Sequence, residues 1–142
     1  MGNTITTTQK VNFEDVQWIM KHQEGRYLLI NTLDSQNQKC LIKNTLAIDT
    51  EVKVINDCMK HGKVIIILYG KNSIDEATTK KYQQLISLGF NRVYIYSGGL
   101  FEWLCLQDIY GDEEFPTTIK EMDILKYKPI SRFQNNYLKD ID

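Results

Sequence analysis

The sequence of 142 residues is poor in cysteine and histidine, and this shortage excludes two kinds of site. Its three cysteines, Cys40, Cys58 and Cys105, are widely separated and form no CxxC pair, so neither a disulfide framework nor a zinc site is predicted. Only His22 and His61 are available as further ligands, and no metal or other cofactor is expected. Unpaired cysteines are typical of a reducing compartment, which predicts a cytoplasmic protein.

Charge of one sign and long apolar runs are also lacking. The 17 basic and 18 acidic residues leave a net charge of −1, which provides no field to attract nucleic acid. The longest apolar run, VIIILY at residues 64–69, is far too short to span a bilayer, so no transmembrane segment is expected. The N terminus shows no charged-then-apolar leader that would predict secretion.

The first six residues, MGNTIT, match the pattern for N-terminal myristoylation. Removal of Met1 would expose Gly2, and a hydroxyl residue, Thr6, stands at the required position. Acylation of Gly2 predicts only weak and reversible membrane association, because no basic patch accompanies it. Such short patterns also occur by chance, so an unmodified terminus is the alternative.

The composition predicts one globular domain. Hydrophobic residues make up 42% and charged residues 25% of the chain, as in ordinary globular proteins. We expect the domain to extend over residues 11–128, between a flexible Thr-rich tail at 1–10 and a polar C-terminal tail at 129–142.

Helical and strand patterns alternate along the domain. Strands are predicted at 27–30, 40–42, 64–68 and 93–96, and helices from 12, from 49 or 50 to 62, from 73 to 89, and from about 99 to 111, with a last short helix near 118–121. Strands that alternate with helices indicate a parallel sheet.

Two helices carry specific predictions. The helix that ends near Gly62 should bury Val52, Ile55 and Met59, which have helical spacing. The next helix should begin at a capping box formed by Ser73 and Glu76. Its side facing the sheet is predicted to carry four residues: Ile74, Ala77, Leu85 and Leu88.

The turn after the most apolar strand is the candidate functional loop. In a parallel sheet, ligands bind beyond the carboxyl ends of the strands. The loop contains the candidate site residues Tyr69, Gly70, Lys71, Asn72, Ser73 and Asp75. Backbone amides at a helix N-terminus, together with Lys71, favour a small anion or a peptide ligand. A plain capped turn is the alternative, because Asp75 and Glu76 already complement the helix dipole.

Two segments resemble the rhodanese (sulfurtransferase) family. LGFNRVYIYSGGLFEW, residues 88–103, is similar to the family signature LGF-x-x-V-Y-x-x-x-GG-x-x-x-W, and residues 27–33 resemble its early "LIDVR" strand. The resemblance extends over about residues 11–112. It implies an α/β, rhodanese-like fold with a central, mostly parallel, five-stranded sheet and helices on both faces.

The resemblance also implies a nucleophile that this sequence lacks. In the family, the loop after the fourth strand opens with a cysteine that carries sulfur as a persulfide. Here Tyr69 is expected at that position, and no residue from 64 to 87 is cysteine. Asn31 and Leu33 stand where the early motif has Asp and Arg. Phosphatases of this fold need the same cysteine, so phosphatase activity is not expected.

Three functions follow as hypotheses. The leading one is a rhodanese-like domain without sulfur transfer that acts as a binding, scaffolding or regulatory module for a protein partner or small anion. The alternative is a thiosulfate-type sulfurtransferase that uses a relocated or partner-supplied cysteine. A third is a non-sulfur activity in a pocket lined by Tyr69, Lys71 and Asp75. The acidic run at 112–114 is predicted to be a solvated turn, not a metal site.

Overall fold

A computed structural model describes residues 7–61 and 63–133. Gly2, Gly62, the remainder of the N-terminal segment at 1–6 and the C-terminal residues 134–142 lie outside the described residues. The first strand begins at Lys10, inside the predicted N-terminal tail. Just before it, the backbone amide of Gln9 donates a hydrogen bond of 3.2 Å to the hydroxyl of Tyr82.

The described chain alternates strands and helices. The strands are β1 (Lys10–Val11), β2 (Tyr27–Asn31), β3 (Ile65–Tyr69) and β4 (Val93–Tyr96). The α-helices are α1 (Phe13–His22), α2 (Glu51–His61), α3 (Glu76–Ser87) and α4 (Gly99–Tyr110). Two 3-10 helices lie at Ser35–Asn37 and Ile124–Tyr127. No helix in the part of the chain that the structure describes is long and apolar enough to cross a membrane.

The sheet is entirely parallel, with the order β1-β4-β3-β2, and confirms the predicted fold class. Residues 7–61 and 63–133 contain four strands instead of the expected five. The segment predicted as a strand at 40–42 forms only an isolated bridge between Ile42 and Thr117. The chain turns immediately afterwards, where Asn44 has a φ of 73° and the amide of Thr45 returns to the carbonyl of Ile42.

Strand alternation directs side chains into two cores, one on each face of the sheet. From β3, Ile67 and Tyr69 enter the core covered by α1 and α4, whereas Ile66 and Leu68 enter the core covered by α2 and α3. Both faces of β3 are therefore buried, as its unbroken apolar sequence predicts.

Helix α2 packs through a different face from the predicted one. Ile55 is buried as expected, but 73% of Val52 and 45% of Met59 are exposed. Glu51 is buried instead, and its carboxylate pairs with the ammonium group of Lys81 on α3 at 2.5 Å. This ion pair holds the Glu51 side of α2 toward α3, which turns Val52 outward.

Helix α3 begins later than predicted. Its N-cap is Asp75, whose side chain accepts from the amide of Ala77, and Ser73 lies exposed in the preceding turn. Ile74 therefore precedes the helix and is 60% exposed, and Leu88 at the other end is 50% exposed. The buried residues of α3 are Thr78, Tyr82 and Leu85. Of the four residues predicted to face the sheet, only Leu85 is buried.

Candidate functional site

The loop at residues 70–75 lies at the carboxyl end of β3, against the start of α4. The backbone amide of Leu100 donates to the carbonyl of Gly70 at 2.9 Å, and that of Phe101 donates to the carbonyl of Lys71 at 2.8 Å. The first turn of α4 therefore satisfies two of its otherwise unpaired amides with the loop.

Gly99 permits this close approach. Its φ is 67°, a backbone conformation that residues with a side chain rarely adopt. A Cβ atom there would lie 2.8 Å from the carbonyl oxygen of Gly70. The second glycine of the pair noted in the sequence is thus required by both conformation and space. The pair brings the loop after β4 and the loop after β3 into direct contact.

The side chain of Asp75 occupies the inside of the loop. Its Oδ2 atom accepts a hydrogen bond of 3.0 Å from the backbone amide of Lys71, and its Oδ1 atom accepts one of 3.1 Å from that of Ala77. The amides at this helix N-terminus, which were predicted to attract an external anion, thus already bind a carboxylate of the chain itself.

Gly70 is the first residue after β3, and the structure leaves no room for a side chain there. A Cβ atom would lie less than 3.0 Å from Asp75 Oδ2 and from the hydroxyl oxygens of Thr78 and Thr32. These two hydroxyls share a hydrogen bond of 2.9 Å. The position that opens the loop is therefore closed by a cluster of three polar side chains.

Tyr69 lies inside the protein instead of at the rim of the loop. It is the last residue of β3 and is fully buried, where burial raises the pKa of its hydroxyl. That hydroxyl accepts from the backbone amide of Ile42 at 3.1 Å and shares a hydrogen bond of 2.7 Å with Thr45. The structure thus separates Tyr69 from Lys71 and Asp75, with which it was predicted to line a pocket.

Asn72 connects the loop to the C-terminal part of the domain. Its Oδ1 atom accepts from the amide of Ile74 at 3.1 Å, and its Nδ2 atom donates to the carbonyl of Tyr127 at 2.9 Å. Tyr127 is itself buried in the core beneath α4. The loop is consequently held from three sides, by α4, by Asp75 and by the 3-10 helix at Ile124–Tyr127.

A groove runs along the outer side of the loop. Its volume is about 330 Å³, and its walls are formed by Lys71, Asn72, Ile74, Asp75, Glu76, Ala77, Lys128 and Ile130. Ile74 is 60% and Ile130 75% exposed. Neither Lys71 nor Lys128 forms an ion pair with any residue that the structure describes. The groove thus combines apolar surface with two lysines and two carboxylates, Asp75 and Glu76.

All three thiols have a raised pKa, unlike the thiol of a reactive cysteine. Burial is the main cause that raises the pKa of the thiols of Cys40, Cys58 and Cys105, and nearby carboxylates raise it further. Cys40 is buried, with its sulfur 3.6 Å from the carbonyl oxygen of Ile119. A reactive thiol needs a lowered pKa and access to solvent.

Several residues of the site were not found from the sequence. Thr32, Thr78 and Tyr127 enclose the loop through hydrogen bonds between residues 46 and 55 positions apart, for which periodicity gives no signal. Among residues 7–61 and 63–133, no group of three potential metal ligands lies close enough to hold an ion.

A comparison with known protein families identifies the family of the chain. A family model described as a rhodanese-like domain matches residues 16–105, which include the loop and the glycine pair. The chain belongs to the rhodanese-like domain family. The resemblance detected in the sequence is thus confirmed.

Solved structures with a similar fold include other rhodanese-like domains. A protein from Bacillus halodurans is 20% identical, with 92% of this chain and 90% of that chain covered and a TM-score of 0.60. The rhodanese-like domain of an Anabaena protein is 21% identical, with 89% and 88% covered and a TM-score of 0.56. A yeast protein tyrosine phosphatase of the rhodanese family is 17% identical, with 86% and 99% covered and a TM-score of 0.57. No curated protein matches the sequence.

Proposed function

We propose that this rhodanese-like domain does not transfer sulfur and acts as a binding, scaffolding or regulatory module. The observation that carries the proposal is the carboxylate of Asp75 inside the loop, hydrogen bonded to the amide of Lys71 beside a glycine that has no room for a side chain. Sulfur transfer in this family requires a cysteine at the opening of that loop.

The loop opposes sulfur chemistry in two ways. Tyr69, which is expected at the cysteine position, is buried in the core, and a side chain at the next residue, position 70, would need the space that Asp75, Thr78 and Thr32 occupy. The Asp75 carboxylate would also repel any anion that approaches the same amides, since like charges at close range in a partly buried site are unfavourable. The amides of Lys71 and Ala77 stabilise a carboxylate of the same chain instead of a bound sulfur anion.

The proposed ligand is a peptide and not a free anion, because the anion position is already filled. The groove is lined by two lysines, Lys71 and Lys128, and by two carboxylates, Asp75 and Glu76. Both oxygens of Asp75 are hydrogen bonded within the loop, whereas neither lysine forms an ion pair with a described residue. We therefore expect an acidic segment of a partner protein to pair with these two lysines, with an aliphatic side chain against Ile74 and Ile130.

A sulfurtransferase assay tests the absence of sulfur transfer. With thiosulfate and cyanide as substrates, we expect no thiocyanate above the protein-free blank, and no difference between the wild type and a variant with all three cysteines changed to alanine. An active rhodanese in parallel shows that the assay works. Turnover that disappears when one cysteine is replaced would establish the alternative, a relocated nucleophile, and refute the proposal.

Peptide titrations test the binding role. A fluorescent peptide of alternating Glu and Leu should bind, and a Lys-Leu peptide of the same length should not. Lys71→Glu and Lys128→Glu should each weaken binding about tenfold or more, whereas Lys53→Glu, an exposed lysine on α2 outside the groove, should not. Equal binding of both peptides would contradict the proposed partner chemistry without affecting the result on sulfur transfer.

The cytoplasmic location and the acylation of Gly2 stay predictions. Intact-mass measurement of the protein expressed with an N-myristoyltransferase would show whether Gly2 is a substrate. Membrane binding of the acylated form should be weak and reversible, as expected for one acyl chain.

A further inference from the structure

A cavity lies away from the loop and its groove, where a short ribbon formed by two segments of the chain meets the last turn of α4. This ribbon consists of residues 39–43 and 116–119 and is held by two backbone hydrogen bonds. The amide of Lys43 donates to the carbonyl of Pro116 at 3.0 Å, and the amide of Thr118 donates to the carbonyl of Leu41 at 2.8 Å. The cavity has a volume of about 450 Å³, within the range of small-molecule sites.

Gln107 provides a buried polar group on the inner side of this cavity. The residue is only 4% exposed, and its Nε2 atom donates to the carbonyl of Phe115 at 2.7 Å and to the hydroxyl of Thr117 at 2.9 Å. Because Phe115 offers only an acceptor there, these bonds fix which end of the amide is nitrogen.

The Oε1 atom of Gln107 is the end without a partner. It accepts no hydrogen bond from any residue in the part of the chain that the structure describes. Every fully enclosed side-chain oxygen or nitrogen in that part has a hydrogen-bond partner. Since Oε1 has none, it is not fully enclosed and reaches solvent. Gln107 lines this cavity, so Oε1 is the acceptor that the residue can offer to a ligand there.

The two threonines of the cavity wall are acceptors as well. The hydroxyl of Thr117 donates its proton to the carbonyl of Ile119 at 2.7 Å, and the hydroxyl of Thr118 donates to the carbonyl of Lys39 at 2.7 Å. A hydroxyl group has one proton, so both can offer a ligand only lone pairs.

The donors of the cavity are two ammonium groups. The ammonium group of Lys120 forms an ion pair with Asp112 at 3.4 Å, and both side chains are largely exposed. Lys43 forms no ion pair with the described residues. The walls therefore carry one positive charge in excess. A ligand that complements them has a negative group for the lysines and its own donors for the neutral acceptors.

We propose that this cavity binds a small hydroxylated anion, a polyol that carries a phosphate or a carboxylate. Its anionic group contacts Lys43 and Lys120, and a hydroxyl group donates to Oε1 of Gln107. The dianion of ethyl phosphate satisfies only the lysines, and an uncharged polyol satisfies only the acceptors, so each should bind less tightly than the combined ligand.

Titration of the full-length, ¹⁵N-labelled protein tests this site. Glycerol 3-phosphate and glycerate are the two probes, and ethyl phosphate and glycerol are the controls that lack the hydroxyl donors or the charge. We expect chemical-shift changes in the backbone amides of Lys43, Gln107 and Thr118 with at least one probe. Each control should bind about tenfold more weakly, which corresponds to the loss of one charge-assisted or buried hydrogen bond.

Two variants form a matched pair for the same titration. Lys43→Gln should weaken binding about tenfold, and Lys39→Gln, an exposed lysine of the same ribbon outside the cavity, should not. If Lys43→Gln gives a spectrum of unfolded protein, Lys120→Gln takes its place. The proposal is overturned if neither probe shifts these amides, if ethyl phosphate binds as tightly as glycerol 3-phosphate, or if both lysine variants behave alike.

Discussion

Asp75 and Lys71 are joined inside the loop after β3, where Oδ2 of the carboxylate accepts a hydrogen bond of 3.0 Å from the backbone amide. The same carboxylate caps α3 through the amide of Ala77. The chain thus supplies a carboxylate of its own to the amides of Lys71 and Ala77. This single side chain joins the start of the loop to the start of α3.

Replacement of Asp75 by alanine should destabilise the domain. The change removes an N-cap and a charge-assisted hydrogen bond, so the free energy of unfolding should fall by about 1–3 kcal/mol in urea denaturation. Asp75→Asn keeps an acceptor and should lose less. Glu76→Gln, an exposed neighbour, should change stability by about 0.5 kcal/mol or less. An Asp75→Ala protein as stable as the wild type would show that the carboxylate does not hold the loop.

Gly99 and Gly25 form a matched pair for the contact between the two loops. Both have positive φ, 67° and 78°, but only at Gly99 would a Cβ atom meet the loop, whereas nothing lies within 4 Å of one at Gly25. Alanine should cost about 1 kcal/mol at either position, and about 1–3 kcal/mol more at Gly99. Thermal or urea unfolding of the two variants measures the difference. Equal losses would mean that the α4–loop contact is not tight.

Tyr69→Phe should lower the free energy of unfolding by about 1–3 kcal/mol, because it leaves the amide of Ile42 buried without an acceptor. Tyr94→Phe on β4 is the control, since the structure shows no hydrogen bond from that hydroxyl to the residues it describes. Its effect should be about 0.5 kcal/mol or less. A Tyr69 variant with no greater loss than the Tyr94 variant would contradict the buried role.

The same tyrosine should make the protein sensitive to alkali. Burial raises the pKa of Tyr69 above its ordinary value of 10.0, so above that pH the unfolded chain releases the proton while the folded chain retains it. The folded state then holds more protons, and the free energy of unfolding decreases as pH rises. Between neutral pH and pH values above 10.0, the free energy of unfolding should therefore decrease more steeply with pH for the wild type than for Tyr69→Phe. Parallel curves would refute this assignment.

Much of the architecture could be predicted because its signals are local. The apolar run of β3, the glycine pair and the LGF segment define three consecutive elements and the family. The predicted start of α3 is two residues too early because Ser73 and Asp75 are both good N-cap residues. What distinguishes Asp75 is its additional hydrogen bond from the amide of Lys71, which the sequence does not reveal.

The interior of the site could not be read in this way. Whether Tyr69 faces the loop or the core depends on where β3 ends, and a shift of one residue reverses the direction of every side chain. The second predicted strand, at 40–42, is replaced by a turn at Asn44, and the hydrogen bond between Asn72 and Tyr127 joins residues far apart in sequence. Such relationships arise from tertiary packing and leave no periodic pattern.

The most direct test of the central claim is whether the protein can carry sulfur. The wild type is incubated with thiosulfate, and intact-mass spectrometry then looks for an added sulfur atom, with a known rhodanese as the positive control. We predict no mass increase, because position 70 is a glycine beside the Asp75 carboxylate and the pKa of all three thiols is raised. A persulfide on Cys40, Cys58 or Cys105 that cyanide removes as thiocyanate would contradict it.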